Sequence, residues 1–242
     1  METISAGMYT KFRDDLLINA KHQVKDTHTN YSDEFKEIIK NTFFDLNGPR
    51  FFSSEIPPDE LHFTDIFLGF FEIEESFSLL KDISVYIRRF PTNMGEIPKT
   101  RFFKYHIGNY FHEIYILYER LKTYKTRVIR LYRRKQWKEE VKIFEPILNA
   151  FKGVVQVRGG HVHEKRFVDD ALDRLILLEI LSQGKDFFDD DWVYKDQIRQ
   201  IRKNWVETIT NNNEKITSLL DYYFSLLYDV VFDKKGNFIV PS

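Results

Sequence analysis

Large apolar side chains recur at steps of three, four and seven residues along most of the chain, which is the spacing of one helical face. Between Pro58 and Pro91 the pattern is continuous, and both prolines stand where a helix would begin and end. We therefore predict a helix between these two prolines. The apolar residues on its expected buried face are Phe63, Phe67, Phe70, Phe77, Leu80, Ile83 and Ile87.

The same periodicity predicts further helices over residues 99–135, 138–157, 168–181 and 194–231. Pro146 falls within the second of these. Because a proline inside a helix removes a backbone hydrogen bond, it indicates a kink or a later start. Asn211, Asn212 and Asn213 are weak helix formers, so we expect them to permit a bend in the last helix.

Residues 1–50 are interpreted as an N-terminal helical extension, and residues 51–242 as the main helical domain. The extension contains two short helical patterns, over residues 9–24 and 32–44. No segment shows strand alternation bounded by hairpin turns, and the tail at residues 238–240 is short enough to form an edge pairing at most. The predicted fold class is therefore all-α, an antiparallel helical bundle with an N-terminal extension.

The composition excludes several classes of site. Cysteine is absent, which rules out disulfides, thiolate zinc sites, iron–sulfur clusters and cysteine nucleophiles. A chain without disulfides fits a reducing compartment. Its apolar runs are too short to span a bilayer, and its first residues lack the apolar core of a signal peptide. We expect a cytoplasmic protein without a membrane partner.

Charge is unevenly distributed, although the net charge is only −1. No acidic residue lies between Arg120 and Lys138, and this stretch creates a positive field that attracts phosphate groups. The pattern is equally typical of a solvated helix face, or of pairing with acids such as Asp189, Asp190 and Asp191. The basic residues of the stretch are Arg120, Lys122, Lys125, Arg127, Arg130, Arg133, Arg134, Lys135 and Lys138.

The segment Val157–Lys165, with the sequence VRGGHVHEK, concentrates side chains that are suited to chemistry. If its two glycines precede or open a helix, Arg158 and His163 converge at one end of the bundle. An arginine offers a fork of donors to a phosphate, and a histidine moves a proton near neutral pH. RNA carries its own nucleophile, the 2′-hydroxyl, so proton transfer and cationic stabilisation suffice to cleave it. One Arg and one His meet this need when a second copy of the chain completes the site.

An Arg separated from a His by four residues, near a helix start in an all-helical chain, resembles the signature of the HEPN superfamily. The grouping RGGHVH further resembles a bacterial HEPN subfamily of the clostridial type. The resemblance implies a metal-independent endoribonuclease of a toxin–antitoxin or antiviral defence system, with no cofactor. It implies a homodimer in which two motifs face each other, and an antitoxin or a nucleotidyltransferase as the protein partner. Arg158 and His163 are then the catalytic pair, and His161 and Lys165 assist RNA binding.

One position departs from the pattern of active HEPN members. A polar residue, frequently Asn, often follows the motif Arg, whereas this chain has Gly159. A glycine supplies no side chain to orient the Arg. A second hypothesis therefore stays open, in which the chain is a catalytically inactive HEPN-like scaffold that binds RNA, a nucleotide or a protein partner. The near-zero net charge favours this version.

Two further interpretations of the segment need no RNA. Arg158 and Glu164 can form an exposed ion pair while the histidines cap a helix. Alternatively, His161, His163 and Glu164 can contribute to a metal site if the segment is extended, because alternate residues then point to the same side. Such a site needs another ligand from elsewhere in the chain, and we predict no metal.

A second polar group lies in the helix predicted over residues 99–135. His106, Asn109 and Glu113 share one face at helical spacing, so we predict a buried polar cluster beneath the Arg–His segment. In this cluster His106 and Asn109 would assist binding. Asn109 stands among aromatic residues, and a buried amide must find hydrogen-bond partners. The alternative role is a structural hydrogen bond between helices.

Overall fold

The computed structural model describes residues 7–27, 58–89, 97–132, 141–153, 169–182 and 191–241. Across these residues the chain forms an all-α helical bundle. A 3₁₀ helix at Val141–Phe144 directly precedes the fourth α-helix. The α-helices are α1 (Met8–Thr27), α2 (Pro58–Arg88), α3 (Lys99–Tyr132), α4 (Glu145–Ala150), α5 (Asp170–Ser182) and α6 (Asp191–Val231).

The helices follow the hydrophobic periodicity of the sequence closely. α2 begins at Pro58 and ends before Pro91, as the two prolines predict. The helix predicted over residues 138–157 is described only over residues 141–153, where a 3₁₀ turn comes first and Pro146 stands in the first turn of α4. A proline fits this position, since the first turn of a helix lacks backbone partners for its N–H groups. Pro146 therefore marks a later start, one of the two outcomes that the sequence allowed.

Strand structure is almost absent from the described part of the chain. An isolated antiparallel bridge joins Phe232 and Phe238, immediately after the end of α6. This confirms that the tail forms an edge pairing at most. The helix predicted over residues 32–44 and the predicted domain boundary at residue 50 lie outside the described residues.

Residue contacts divide the chain into two compact units, and the first comprises residues 1–70, 127–134 and 220–242. Its core is aromatic, with Phe12 of α1 fully buried at the centre. The ring centroid of Phe12 lies 5.5 Å from Phe70, 4.7 Å from Phe224 and 5.0 Å from Phe232. Buried aromatic rings contribute the largest apolar areas to a core. The first helix therefore supplies a central residue of this unit.

Hydrogen bonds fix α1 alongside the C-terminal part of α6 and the turn that follows it. The backbone N–H of Tyr9, in the first turn of α1, donates to the carboxylate of Asp221 at 3.0 Å. Further along α1, the amide of Asn19 donates to the carbonyl of Gly236 at 2.8 Å and accepts from the N–H of Phe238 at 3.0 Å. Both sequence numbers rise together along these contacts, so the two helices run parallel.

The second unit comprises residues 71–126 and 135–219. Its portions of α2 and α3 run antiparallel. The rings of Tyr86 and His106 lie 5.6 Å apart, while further along the pair the guanidinium of Arg120 donates to the buried hydroxyl of Ser76 at 2.7 Å. α5 packs antiparallel to α3 as well, because Lys104 forms an ion pair with Asp173 at 2.9 Å and Thr100 bonds to Glu179. The predicted antiparallel packing is thus found between these neighbours.

Candidate functional site

The Arg–His segment connects α4 to α5, and the structure describes the chain on both sides of it. Arg158, His161, His163 and Lys165 themselves lie outside the described residues. Their roles therefore stay predictions. The structure does show how the residues before and after the segment are attached to the second compact unit.

On the upstream side, the turn after α4 is held by an aromatic contact. Phe151 is buried, and its ring centroid lies 6.1 Å from that of Tyr118 on α3. Ile147 and Leu148 of α4 are buried with it. The chain is therefore fixed against α3 before residue 154.

On the downstream side, Asp169 stands immediately before α5 and caps it. Its Oδ1 accepts hydrogen bonds from the backbone N–H groups of Ala171, at 2.9 Å, and Leu172, at 3.0 Å. Its Oδ2 accepts a hydrogen bond from the indole Nε1 of Trp205 on α6 at 3.1 Å. Trp205 in turn packs edge-on against Phe111 of α3, with ring centroids 6.2 Å apart.

Both attachments lead to the same face of α3. Phe111 and Tyr118 are seven residues apart, which is about two helical turns, or roughly 10 Å along the axis. Residues seven apart on a helix point in nearly the same direction. Phe151 contacts this side of α3 directly, and Asp169 reaches it through Trp205. The described chain on either side of the Arg–His segment is therefore attached to one side of α3, at two heights along its axis.

The face of α3 around these anchors carries aromatic rings and lysines. Lys122 lies one turn from Tyr118, and its Nζ is 5.1 Å from the centre of the Tyr118 ring. The same ammonium pairs with Glu119 at 3.0 Å, and these contacts raise the pKa of Lys122, with the hydrogen bond to Glu119 as the main cause. Lys104, on the same side, pairs with Asp173. Positive charge is therefore present along this face, although both ammonium groups already have acidic partners.

The basic stretch of α3 divides between structural and surface roles. The guanidinium of Arg120 bonds to the carbonyl of Glu72 as well as to Ser76, and lies 3.5 Å from Glu75. Arg127, in the first unit, donates to the carbonyl of Asp65 at 3.0 Å. These two arginines hold α2. The side chains of the acids at 189–191, which the sequence suggested as partners, lie outside the described part of the chain. The basic residues from position 133 to 138 lie outside the described residues.

The sequence pattern predicts that His106, Asn109 and Glu113 form a buried cluster. In the structure each of the three is only partly buried. Among the described residues no hydrogen bond joins any two of the three. His106 packs on Phe102 and on Tyr86 of α2, which lies on a different side of α3 from the Phe111–Tyr118 face. Burial lowers the pKa of His106 below the ordinary value of 6.5.

Among the described residues of this unit, the buried amide is Asn213 of α6, for which the run of three asparagines predicts only a bend. Its Oδ1 accepts from the hydroxyl of Tyr110 at 3.3 Å, and its Nδ2 donates to the carbonyl of Leu80, also at 3.3 Å. One side chain thereby joins α2, α3 and α6. Burial raises the pKa of Tyr110 to about 12, so its hydroxyl remains a donor at neutral pH. An Asn at an otherwise apolar position of the α6 stripe is the signal that could have identified it.

Glu179 is a second polar residue that periodicity missed. Its carboxylate accepts hydrogen bonds from the backbone N–H of Thr100, at 3.2 Å, and from the Thr100 hydroxyl. It also accepts from the hydroxyl of Tyr194 at 2.8 Å. A carboxylate at the first turn of α3 satisfies free N–H groups and complements the helix dipole. Glu179 therefore joins α3, α5 and α6 at one end of the second unit.

No group of three potential metal ligands occurs among the described residues. The set formed by His161, His163 and Glu164 lies outside them. None of the helices in the described ranges has the length and apolar character that crossing a membrane requires. Comparison with protein-family models, with curated proteins and with solved structures finds no match to this chain.

Proposed function

We propose that this chain is a metal-independent endoribonuclease of the HEPN type, in which Arg158 and His163 act on RNA. The observation that supports the proposal is that the described chain before and after the Arg–His segment is attached to one face of α3. Phe151 packs on Tyr118 before the segment, and Asp169 bonds to Trp205 after it. Catalytic groups need a firmly held surrounding chain, because a displacement of about 1 Å costs much of the rate.

The chemistry requires little beyond these two side chains. The RNA 2′-hydroxyl attacks the adjacent phosphorus while a histidine accepts its proton. Arg158 stabilises the negative charge of the phosphorane through its fork of donors. The 5′-oxygen then leaves with a proton from a second acid. The products are a 2′,3′-cyclic phosphate and a 5′-hydroxyl, and DNA, which lacks the nucleophile, is not cleaved.

The second acid is best supplied by another copy of the chain. One Arg and one His provide a single proton carrier, whereas in-line cleavage uses a base and an acid. A two-fold axis near the segment would bring a second His163 to the same phosphate. We therefore propose a homodimer with the two segments facing each other, and sedimentation of the purified chain at micromolar concentration tests it. A monomer, or a dimer with the segments on opposite faces, would contradict the proposal.

Gly159 favours a second candidate function. Because it leaves the motif Arg without an adjacent orienting side chain, the segment would bind RNA, a nucleotide or a protein partner without cleaving RNA. Both functions would use the same surface, but only the nuclease would cleave the RNA that it binds. Cleavage assays separate them directly.

The decisive experiment measures cleavage of a labelled single-stranded RNA by the full chain in the presence of a chelator. We expect His163→Ala and Arg158→Ala each to reduce the rate by at least about 100-fold, because proton transfer and charge stabilisation act as one unit. His161→Ala should have a smaller effect. His112→Ala, which removes an exposed histidine of α3 outside the segment, is the matched control.

Unaltered cleavage by the purified His163→Ala variant would show that this motif is not the active site. Absence of cleavage by the unsubstituted chain, combined with RNA binding that depends on Arg158, would replace the nuclease by the scaffold. Products with a 3′-hydroxyl, or activity that the chelator abolishes, would contradict the proposed chemistry.

A further inference from the structure

An aromatic cluster surrounds His106 where α2 ends and α3 begins. The imidazole centroid lies 4.3 Å from the ring of Phe102, 5.3 Å from Tyr105 and 5.6 Å from Tyr86. We call these four residues the His106 cluster. All of them belong to the second compact unit.

Two rings of the His106 cluster are unusually open to solvent. Tyr86 is 52% exposed and Tyr105 is 64% exposed, whereas His106 and Phe102 are partly buried behind them. Large rings are normally packed away from water because they carry the greatest apolar area. The cluster thus leaves half or more of two tyrosine side chains open to solvent, with two partly buried rings in contact with each other beside them.

The imidazole of His106 is better suited to stacking on a flat ligand than to binding an anionic group. Burial lowers the pKa of His106, so the ring is mainly neutral at neutral pH. A neutral imidazole among three rings offers a planar π surface to a ligand. It does not repel the positive charge of nearby arginines.

Arginines surround the open rings. Arg89 lies three residues after Tyr86, and Arg101 lies four residues before Tyr105, so each is a helical neighbour of an exposed ring. Both side chains are exposed, and no ion pair joins either to an acid in the described part of the chain. Asp82 is the one acidic residue three or four positions from either exposed tyrosine in the sequence. The rim of the cluster is therefore net positive and fits a ligand that carries phosphates.

An amide stands beside the rings on α3. Asn109 is three residues after His106 and four after Tyr105, which places it on the adjoining surface of the helix. Its side chain is partly exposed and makes no hydrogen bond with another described residue. A free amide offers a donor and an acceptor together, which is the pattern that reads the edge of a nucleobase.

From these observations we infer that the His106 cluster is a binding site for an unpaired base of single-stranded RNA. The base stacks on Tyr86 and Tyr105, Asn109 contacts its edge, and Arg89 and Arg101 bind the flanking phosphates. The choice of RNA as ligand rests on the proposed function, whereas stacking and phosphate binding follow from the cluster itself. Single strands are preferred because a duplex hides the faces of its bases.

The test is fluorescence anisotropy with a short fluorescein-labelled single-stranded RNA and its duplex. The full chain carries His163→Ala, so that the probe stays intact. Tyr86→Ala and Tyr105→Ala are each expected to weaken single-strand binding on the order of tenfold, the effect typical of one stacked base. Tyr86→Phe and Tyr105→Phe keep the ring and should retain the binding of the parent.

Tyr222→Ala is the matched control, because Tyr222 is 50% exposed on α6 and belongs to the other compact unit. It should leave binding unchanged. Substitution of Arg89 and Arg101 by Glu should weaken binding further and reduce its dependence on salt, since fewer phosphate contacts remain.

The inference is overturned if the Tyr→Ala variants bind as tightly as the parent, if the duplex binds as well as the single strand, or if no RNA binds. If the unsubstituted chain cleaves RNA but the tyrosine substitutions leave binding unchanged, the stacking site is wrong and the nuclease proposal survives. If RNA binding depends on the tyrosines but the unsubstituted chain cleaves nothing, the stacking site survives and the nuclease proposal is wrong. The nuclease proposal and the stacking site are therefore judged by separate measurements.

Discussion

The indole Nε1 of Trp205 donates a hydrogen bond to Oδ2 of Asp169 at 3.1 Å, across 36 residues of sequence. The other oxygen of the same carboxylate caps α5 through the N–H groups of Ala171 and Leu172. One side chain therefore determines both where α5 begins and where the chain leaving the Arg–His segment is attached. This relationship makes Asp169 the described residue through which the segment can best be perturbed from outside.

Asp169→Ala is expected to destabilise the protein by about 1–2 kcal/mol, because a helix cap and a hydrogen bond to the indole are lost together. Urea unfolding measures this loss. Asp169→Asn is the matched variant, since its one amide oxygen can still cap α5, whereas its NH2 group cannot accept the hydrogen bond from the indole of Trp205. An alanine variant as stable as the asparagine variant would contradict the assigned role. If RNA is cleaved, the alanine variant should also be slower, because the segment is less firmly held.

The hydrogen bond between Tyr110 and Asn213 provides a second prediction. Asn213→Leu leaves the buried Tyr110 hydroxyl without this acceptor and should cost about 1–3 kcal/mol. Tyr110→Phe in the same chain removes the stranded hydroxyl and should restore part of the loss. A double-mutant cycle by urea unfolding gives the coupling energy. Additive effects of the two substitutions would show that the bond contributes nothing specific.

Stability should depend on the protonation of His106. Burial lowers its folded-state pKa below 6.5, so the unfolded chain binds the proton first as the pH falls. The stability that the neutral, buried His106 contributes to the folded state is therefore fully present above pH 6.5. It is lost as the pH falls below that value towards the folded-state pKa. Unfolding free energies measured across this range should fall more steeply for the unsubstituted chain than for His106→Phe. His112→Phe, which removes an exposed imidazole from the same helix, is the control.

Gly236 should not tolerate a side chain. Its φ of +83° lies in the left-handed region, and an added Cβ would stand 3.0 Å from Oδ1 of Asp15. The Asp15 carboxylate is held by the hydroxyl of Tyr228, so it cannot easily move away. Gly236→Ala is expected to cost about 1–2 kcal/mol through backbone strain and crowding.

Gly108→Ala is the opposite case and the matched comparison for Gly236. Gly108 lies within α3, and an added Cβ meets no described atom within 4 Å. Alanine is favoured over glycine in a helix interior, so this variant should gain up to about 1 kcal/mol. Equal effects of the two substitutions in urea unfolding would contradict the structural distinction between them.

The sequence by itself determined the helices. Between Phe103 and Val128, apolar residues at the helical period predict the buried side of α3, and Ile107, Ile114, Leu117 and Leu121 are buried there. Helix length and phase are local properties, because they depend on apolar residues at the 3.6-residue period and on prolines near the ends. The same local reasoning identified Val157–Lys165 as the segment richest in chemistry, and that assignment stays a prediction.

Only the tertiary structure decided which polar residues meet. The pattern singled out Asn109 as the candidate buried amide and predicted only a bend at Asn213, yet Asn213 is the one that is buried and bonded to two other helices. The partners of Arg120 proved to be a carbonyl, a hydroxyl and a carboxylate of α2. Periodicity gives the direction in which a side chain points along its own helix, but its partner depends on which helices are neighbours and at what height. That choice is made by packing between segments far apart in sequence, so the pattern of a single helix does not contain it.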